Sequence, residues 1–259
     1  DGFLSEHVIF VDARADAEGI FVGIDTAWHR DFDALTPQAT IQIGFGTNID
    51  PDTFERGTLN LGLVIDRSGS MNDPIDYRTG TTKLDAVKIA VDRMLAQLTP
   101  QDLVSIVVFN ERSSTLLEAA QGNDIAAIKG ALDTVVPDGD TNLAAGLRRG
   151  FQTIAPPRSP TRLDRVLVFT DAQLYGRNSQ RLIDFLDVMR TYAEDSIGTT
   201  VFGVGSEFGD DVALDISQIR GGNSFFLSDF DRIVAVFDEE FDFLVAPVAY
   251  DVTLTVDVP

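Results

Sequence analysis

The chain has 259 residues, 44% of them hydrophobic, with 41 Asp and Glu against 20 Lys and Arg and a formal net charge of -21. That is enough apolar chain to bury a core, which excludes a disordered segment, and enough negative charge to repel phosphate backbones and anionic lipid heads. Its longest apolar runs, such as 104–109 and 166–169, fall far short of the ~20 residues of a membrane helix, so no bilayer-spanning segment is expected.

The acids are 32 Asp and nine Glu, and Lys stands only at 83, 88 and 129. Short carboxylates with few lysines make a strongly hydrated surface, as in a salty habitat, an extracellular setting or a GC-rich genome. An extracellular or cell-surface location is favoured, with a cytoplasmic one left open. There is no Cys, which removes thiol catalysis, thiolate metal sites and disulfides. The chain starts at Asp1 without an apolar leader, so a piece of a longer protein is expected.

Segments 7–11, 19–26 and 39–44 are short and β-rich, with polar turns such as Asp50-Pro51-Asp52 and Arg56-Gly57, and predict antiparallel strands. From Leu61 onward, apolar strands alternate with helical patterns. Strands are expected at 61–66, 103–109, 165–170, 199–204 and 224–227, and helices at 83–98, 124–134, 142–154, 179–194, 210–220 and 230–244. Such alternation predicts an α/β fold with a mostly parallel sheet covered on both faces. The tail, 248–258, alternates Val252, Leu254, Val256 and Val258 with Thr253, Thr255 and Asp257, which predicts a half-buried strand. Its natural partners are the N-terminal strands, giving a small antiparallel β domain. The expected organisation is 1–59 as an N-terminal β segment, 60–247 as the α/β domain and 248–259 as the returning strand.

The chemistry concentrates in three loops. Asp66-Arg67-Ser68-Gly69-Ser70-Met71 follows the first buried strand, Asp138-Gly139-Asp140-Thr141-Asn142 opens a helix, and Phe169-Thr170-Asp171 closes a strand. Ligand sites in open α/β sheets form beyond the carboxyl ends of strands, where these loops would converge. Carboxylates and hydroxyls are hard oxygen ligands suited to a small divalent cation.

Asp-x-Ser-x-Ser at Asp66, Ser68 and Ser70, then Thr141 before Asn-Leu-Ala-Ala-Gly-Leu, then a strand ending Phe-Thr-Asp at Asp171, resembles the metal-ion-dependent adhesion site of von Willebrand factor type A domains. The resemblance covers about 60–245. It is strongest to bacterial members, through Val201-Phe-Gly-Val-Gly205 and the Gly221-Gly222-Asn223 turn. It implies a Rossmann-like domain in which Ser68, Ser70 and Thr141 reach Mg²⁺ through hydroxyls while Asp66 and Asp171 hold it directly or through water. Mn²⁺ and Ca²⁺ are the alternatives. The remaining coordination position takes water or an Asp or Glu carboxylate from a protein partner, as in adhesion or assembly. Two positions depart from many relatives, Asp140 before the Thr and Ala172 after the strand-end Asp, where Gly is frequent.

Bland readings stand beside these. Asp66, Ser68 and Ser70 suit a turn or cap, and Thr141 suits the cap of the following helix. Asp73 and Asp76 form either a second cation site or an acidic surface loop. Asp238, Glu239, Glu240 and Asp242 read as the solvated face of the last helix. His7 and His29 lack any ligand spacing, and the glycines at 203, 205 and 209 miss the dinucleotide fingerprint by one position. With no nucleophile elbow, phosphate-binding Lys loop or His-Glu-x-x-His, no enzyme is expected. The expectation is a metal-dependent protein-binding module. The alternative is a structural subunit of a larger assembly in which the ion only ties loops together.

Overall fold

A computed structural model describes residues 20–30, 37–47, 49, 54–154, 161–172, 179–205, 210–239, 241–246 and 255. The chain divides into two compact units, 1–55 and 56–259. In the first, β1 (Ile20–Arg30) and β2 (Pro37–Thr47) pair antiparallel in register from Ile20 opposite Thr47 to Arg30 opposite Pro37. The expected strand at 7–11, the Asp50-Pro51-Asp52 turn and nearly all of the tail strand lie outside the described residues.

The second unit holds a short antiparallel pair, β4 (Pro74–Asp76) and β5 (Thr81–Thr82), and a six-stranded sheet in the order β10-β9-β8-β3-β6-β7. Its strands are β3 (Thr58–Asp66), β6 (Leu103–Phe109), β7 (Ser113–Gln121), β8 (Arg162–Thr170), β9 (Gly198–Val204) and β10 (Gly222–Leu227). Five run parallel, and β7 alone joins antiparallel at the edge. The edge strand was not expected. Ser113-Ser-Thr-Leu-Leu-Glu-Ala-Ala-Gln121 alternates between half-buried and exposed residues and has no continuous apolar run of the kind that marks the central strands.

Side-chain alternation along β3 divides the core. Leu59, Leu61, Leu63 and Ile65 face a layer containing α1 (Lys83–Leu95) and α2 (Ile125–Asp133). Val64, with Val107, Val166 and Val168, packs with α3 (Leu143–Ile154), α4 (Gln180–Ala193) and α5 (Asp210–Ser217) on the opposite face. Helices on both faces account for strands that are apolar on both sides. The expected final helix is instead α6 (Phe230–Val234), a π-helical turn (Ala235–Glu239) and α7 (Phe241–Val245), whose Val236, Phe237 and Phe241 are buried. Among the described residues no helix is long and apolar enough to cross a membrane.

The strand order determines where a site can form. From β3 the chain moves to β6 on one side, and later returns to place β8 on the other. The carboxyl ends of β3 and β8 therefore flank a switch point, where open α/β sheets leave a crevice. Asp66 ends β3, and Asp171 follows the last residue of β8.

Candidate metal centre

Asp66, at the carboxyl end of β3, is fully buried. Its Oδ1 accepts the backbone N–H of Ser68 at 2.8 Å, and its Oδ2 accepts the Thr170 hydroxyl at 2.6 Å. The first bond is the local turn anticipated for an Asp two residues before a Ser. It does not exhaust the loop. Ser68 precedes a short 3₁₀ turn (Gly69–Asn72), and its side chain makes no capping bond there. Instead its Oγ lies 3.3 Å from Ser70 Oγ, and Ser70 Oγ donates to Asp171 Oδ1 at 2.9 Å. Four of the five expected residues thus form one connected polar cluster, rising from buried Asp66 and Ser68 to exposed Ser70 at the mouth.

Thr141 reaches the same place from the third loop. It lines a cleft of about 780 Å³ together with Ser70, Asp73, Lys83, Asp140 and Asp171. Capping of α3 falls to Asn142, whose Oδ1 accepts Ala145 N–H at 3.1 Å, so the bland role suggested for Thr141 belongs to its neighbour. The loops are joined directly by backbone bonds, Gly69 N–H to Gly139 O at 2.9 Å and Asp138 N–H to Arg67 O at 2.7 Å. Asn110, just beyond β6, holds the second loop with its Nδ2 on Asp138 O at 3.1 Å.

The two departures have local explanations. Asp140 is exposed, and its Oδ1 accepts Thr141 N–H at 2.8 Å, so the extra carboxylate fixes the turn that presents Thr141. Ala172 has no positive φ, and its N–H donates to Thr170 Oγ1 at 3.0 Å, so this turn needs no glycine. Asp76 bonds Arg78 backbone N–H at 2.8 Å, and that bond holds its carboxyl below the usual range, as in an acidic turn. His7 and the side chain of His29 lie outside the described residues.

Sequence reasoning missed two residues. Thr170, fully buried, orients Asp66. Lys83, the first residue of α1, places Nζ 2.8 Å from Asp171 Oδ2, and both side chains are largely buried. The available signal was the rarity of Lys in so acidic a chain, at the helix start just after the serine loop.

Burial pushes the Asp66 carboxyl up to about 6, against the lowering effect of the Thr170 and Ser68 hydrogen bonds, and nearby Asp171 adds a smaller push upward. Among the described residues no Lys or Arg pairs with Asp66. Two carboxylates facing one ammonium leave the cluster short of positive charge, and its donors are all hard oxygens. The residues therefore suit a divalent cation of the Mg²⁺ class, with Asp66, Ser68, Ser70, Thr141 and Asp171 as the groups that would hold it.

A model of the von Willebrand factor type A domain family matches residues 61–173, which takes in β3, all three loops and Asp171. Over those residues the chain is similar to von Willebrand factor type A domains. Two curated proteins are similar. The uncharacterized protein sll0103 of Synechocystis is 27% identical over 74% of this chain and 43% of its own length. The uncharacterized protein YfbK of Escherichia coli is 24% identical over 80% and 35%. The chain thus spans less than half the length of each. Among solved structures, the PilB minor pilin of Streptococcus sanguinis aligns with a TM-score of 0.57 at 13% identity, over 87% of this chain and 79% of the pilin. Proximal thread matrix protein 1 of the mussel byssus, with a zinc-occupied MIDAS motif, aligns with a TM-score of 0.55 at 22% identity, over 72% and 46%. Identities this low carry the von Willebrand fold and nothing finer; the zinc belongs to the mussel protein.

Proposed function

We propose that this domain is a metal-dependent protein-binding module. A divalent cation, Mg²⁺ with Mn²⁺ or Ca²⁺ as alternatives, is held by Asp66, Ser68, Ser70, Thr141 and Asp171 and takes an Asp or Glu carboxylate of a partner protein as a further ligand. The observation that carries this reading is the cluster itself: a buried carboxylate with no basic partner among the described residues, bonded to Ser68 and Thr170, beside the Ser68, Ser70 and Asp171 chain at the sheet's switch point. Three neutral hydroxyls among five ligands leave the ion electrophilic, so an incoming carboxylate gains strongly.

The alternative, an ion that merely ties loops within a larger assembly, has less support. The serine and threonine loops are already joined by two backbone hydrogen bonds and need no ion to meet. An enzymatic role is weaker still. A general base must be free to take a proton, whereas Asp66 accepts from Thr170 and Ser68, Asp171 accepts from Ser70 and Lys83, and Asp140 accepts from Thr141 N–H.

The test is calorimetric titration of EDTA-treated protein with Mg²⁺, Mn²⁺ and Ca²⁺, comparing wild type with Asp66→Ala. The expected result is one site in the wild type and at least a hundred-fold loss of affinity in the variant, with an unchanged circular-dichroism spectrum. Equal affinity in the two proteins would overturn the reading.

A further inference from the structure

Lys83 is one of three lysines in a chain with 41 acids, and it is spent inside the site. Its side chain is only 11% exposed, in contrast to the surface position normal for lysine. Three elements fix it there. Thr82 and Asp85 form a reciprocal capping box that sets the start of α1, and Lys83 N–H donates to Asp73 O at 2.9 Å. The lysine stem then passes Gly205 at the end of β9, where φ is +101° and an added Cβ would lie 3.2 Å from Lys83 Cε. Its ammonium meets Asp171 Oδ2, while the other oxygen of the same carboxylate takes Ser70 Oγ.

We propose that Lys83 is a resident cation of the site, which shares Asp171 with the divalent ion and lowers the affinity for that ion while adding positive charge for the partner. The inference rests on the cation reading of the site. A carboxylate whose charge is already met by an ammonium has less attraction left for a second cation, and two cations at one carboxylate repel each other. The compensation appears once the ion is held. At the ion itself, Asp66, Asp171, the ammonium and a divalent ion leave one net positive charge, where the carboxylates and ion alone would leave none, inside a rim that also carries Asp73, Glu111, Asp140 and Asp184 against Arg181. In a protein of charge -21, that local charge gives an acidic partner side chain a reason to approach.

The experiment titrates EDTA-treated wild type, Lys83→Met, Lys83→Gln and Lys83→Arg with MgCl₂ by calorimetry at fixed ionic strength, and melts each protein in EDTA. The Met and Gln variants are expected to bind Mg²⁺ at least about ten-fold more tightly, a Coulombic effect of about 1.4 kcal/mol or more, and to melt at lower temperature in EDTA. Lys83→Arg should keep the wild-type affinity. Gln retains a donor to Asp171 without the charge, and serves if the Met variant does not fold. Mg²⁺ affinity that is unchanged or weaker in both neutral variants would overturn the inference and leave the metal site standing. Tight binding only in the neutral variants would uphold it in its strongest form. Absence of Mg²⁺ binding in all four proteins would overturn it together with the cation reading.

Discussion

Asp66 holds a negative charge where water does not reach, and its two hydrogen bonds only partly offset the desolvation. With its carboxyl raised from 3.8 to about 6, the native protein keeps this proton over a range in which the unfolded chain has lost it. The stabilising contribution of the protonated form is complete below about 3.8 and is lost as pH rises to about 6, about 3 kcal/mol in all. In EDTA, urea unfolding of wild type from pH 4 to 7 should therefore show a downward trend that Asp66→Asn lacks. Parallel stability curves for the two proteins would show that Asp66 is not strained in this way. At this scale the convergence of the five oxygen residues was legible, because loop position and chain order together bring them to one sheet edge. Lys83 and Thr170 were not, since a lysine at a helix start and a threonine within an apolar strand carry no mark of what they touch. Only the strand order brings Thr170 to Asp66 and Lys83 to Asp171.

The helix that follows Thr141 is placed by its small residues. In α3, Gly150 comes so close to β3 that an added Cβ would lie 2.3 Å from Val64 Cγ2. Gly150→Ala gains helix propensity of about 1 kcal/mol but overpacks the contact, which typically costs about 1–3 kcal/mol, so net destabilisation is expected. Exposed Gly130 in α2 has nothing within 4 Å of an added Cβ, so Gly130→Ala should stabilise by up to about 1 kcal/mol. Denaturant midpoints of the two variants should move in opposite directions, and a midpoint that rises in Gly150→Ala would refute the close packing of α3. The glycine pattern does not reveal this difference, because proximity to β3 is a tertiary fact. The central strands were legible for the converse reason: burial on both faces leaves a continuous apolar run. Strand β7 escaped notice because it is covered unevenly and bulged. Buried Ser105 of β6 accepts Ala119 N–H at 3.0 Å where the register shifts, and Ala119 adopts φ 49°. The last helical stretch was expected as one helix because its apolar spacing is helical throughout; its π turn is a backbone adjustment that spacing does not encode.

For the whole molecule, acids outnumber bases two to one, and most of the excess must be solvated. Exposed ion pairs such as Lys129–Asp92 and Arg190–Asp187 contribute little and weaken with salt. The deeper pair of Arg56 and Asp102, whose side chains are 7% and 0% exposed, is screened much less. Repulsion among the excess carboxylates acts over longer distances. It is cut as the Debye length falls from about 10 Å at 0.1 M salt to about 3 Å at 1 M. The loss of repulsion should exceed the loss of surface pairs, so the melting temperature in EDTA is expected to rise between 0.1 and 1 M KCl. The rise should shrink near pH 4, where many carboxylates are protonated and the repulsion is already reduced. A melting temperature that is flat or falling with KCl at pH 7 would mean that the ion pairs outweigh the self-repulsion. A rise of equal size at both pH values would assign the effect to salt acting on apolar burial instead of on charge.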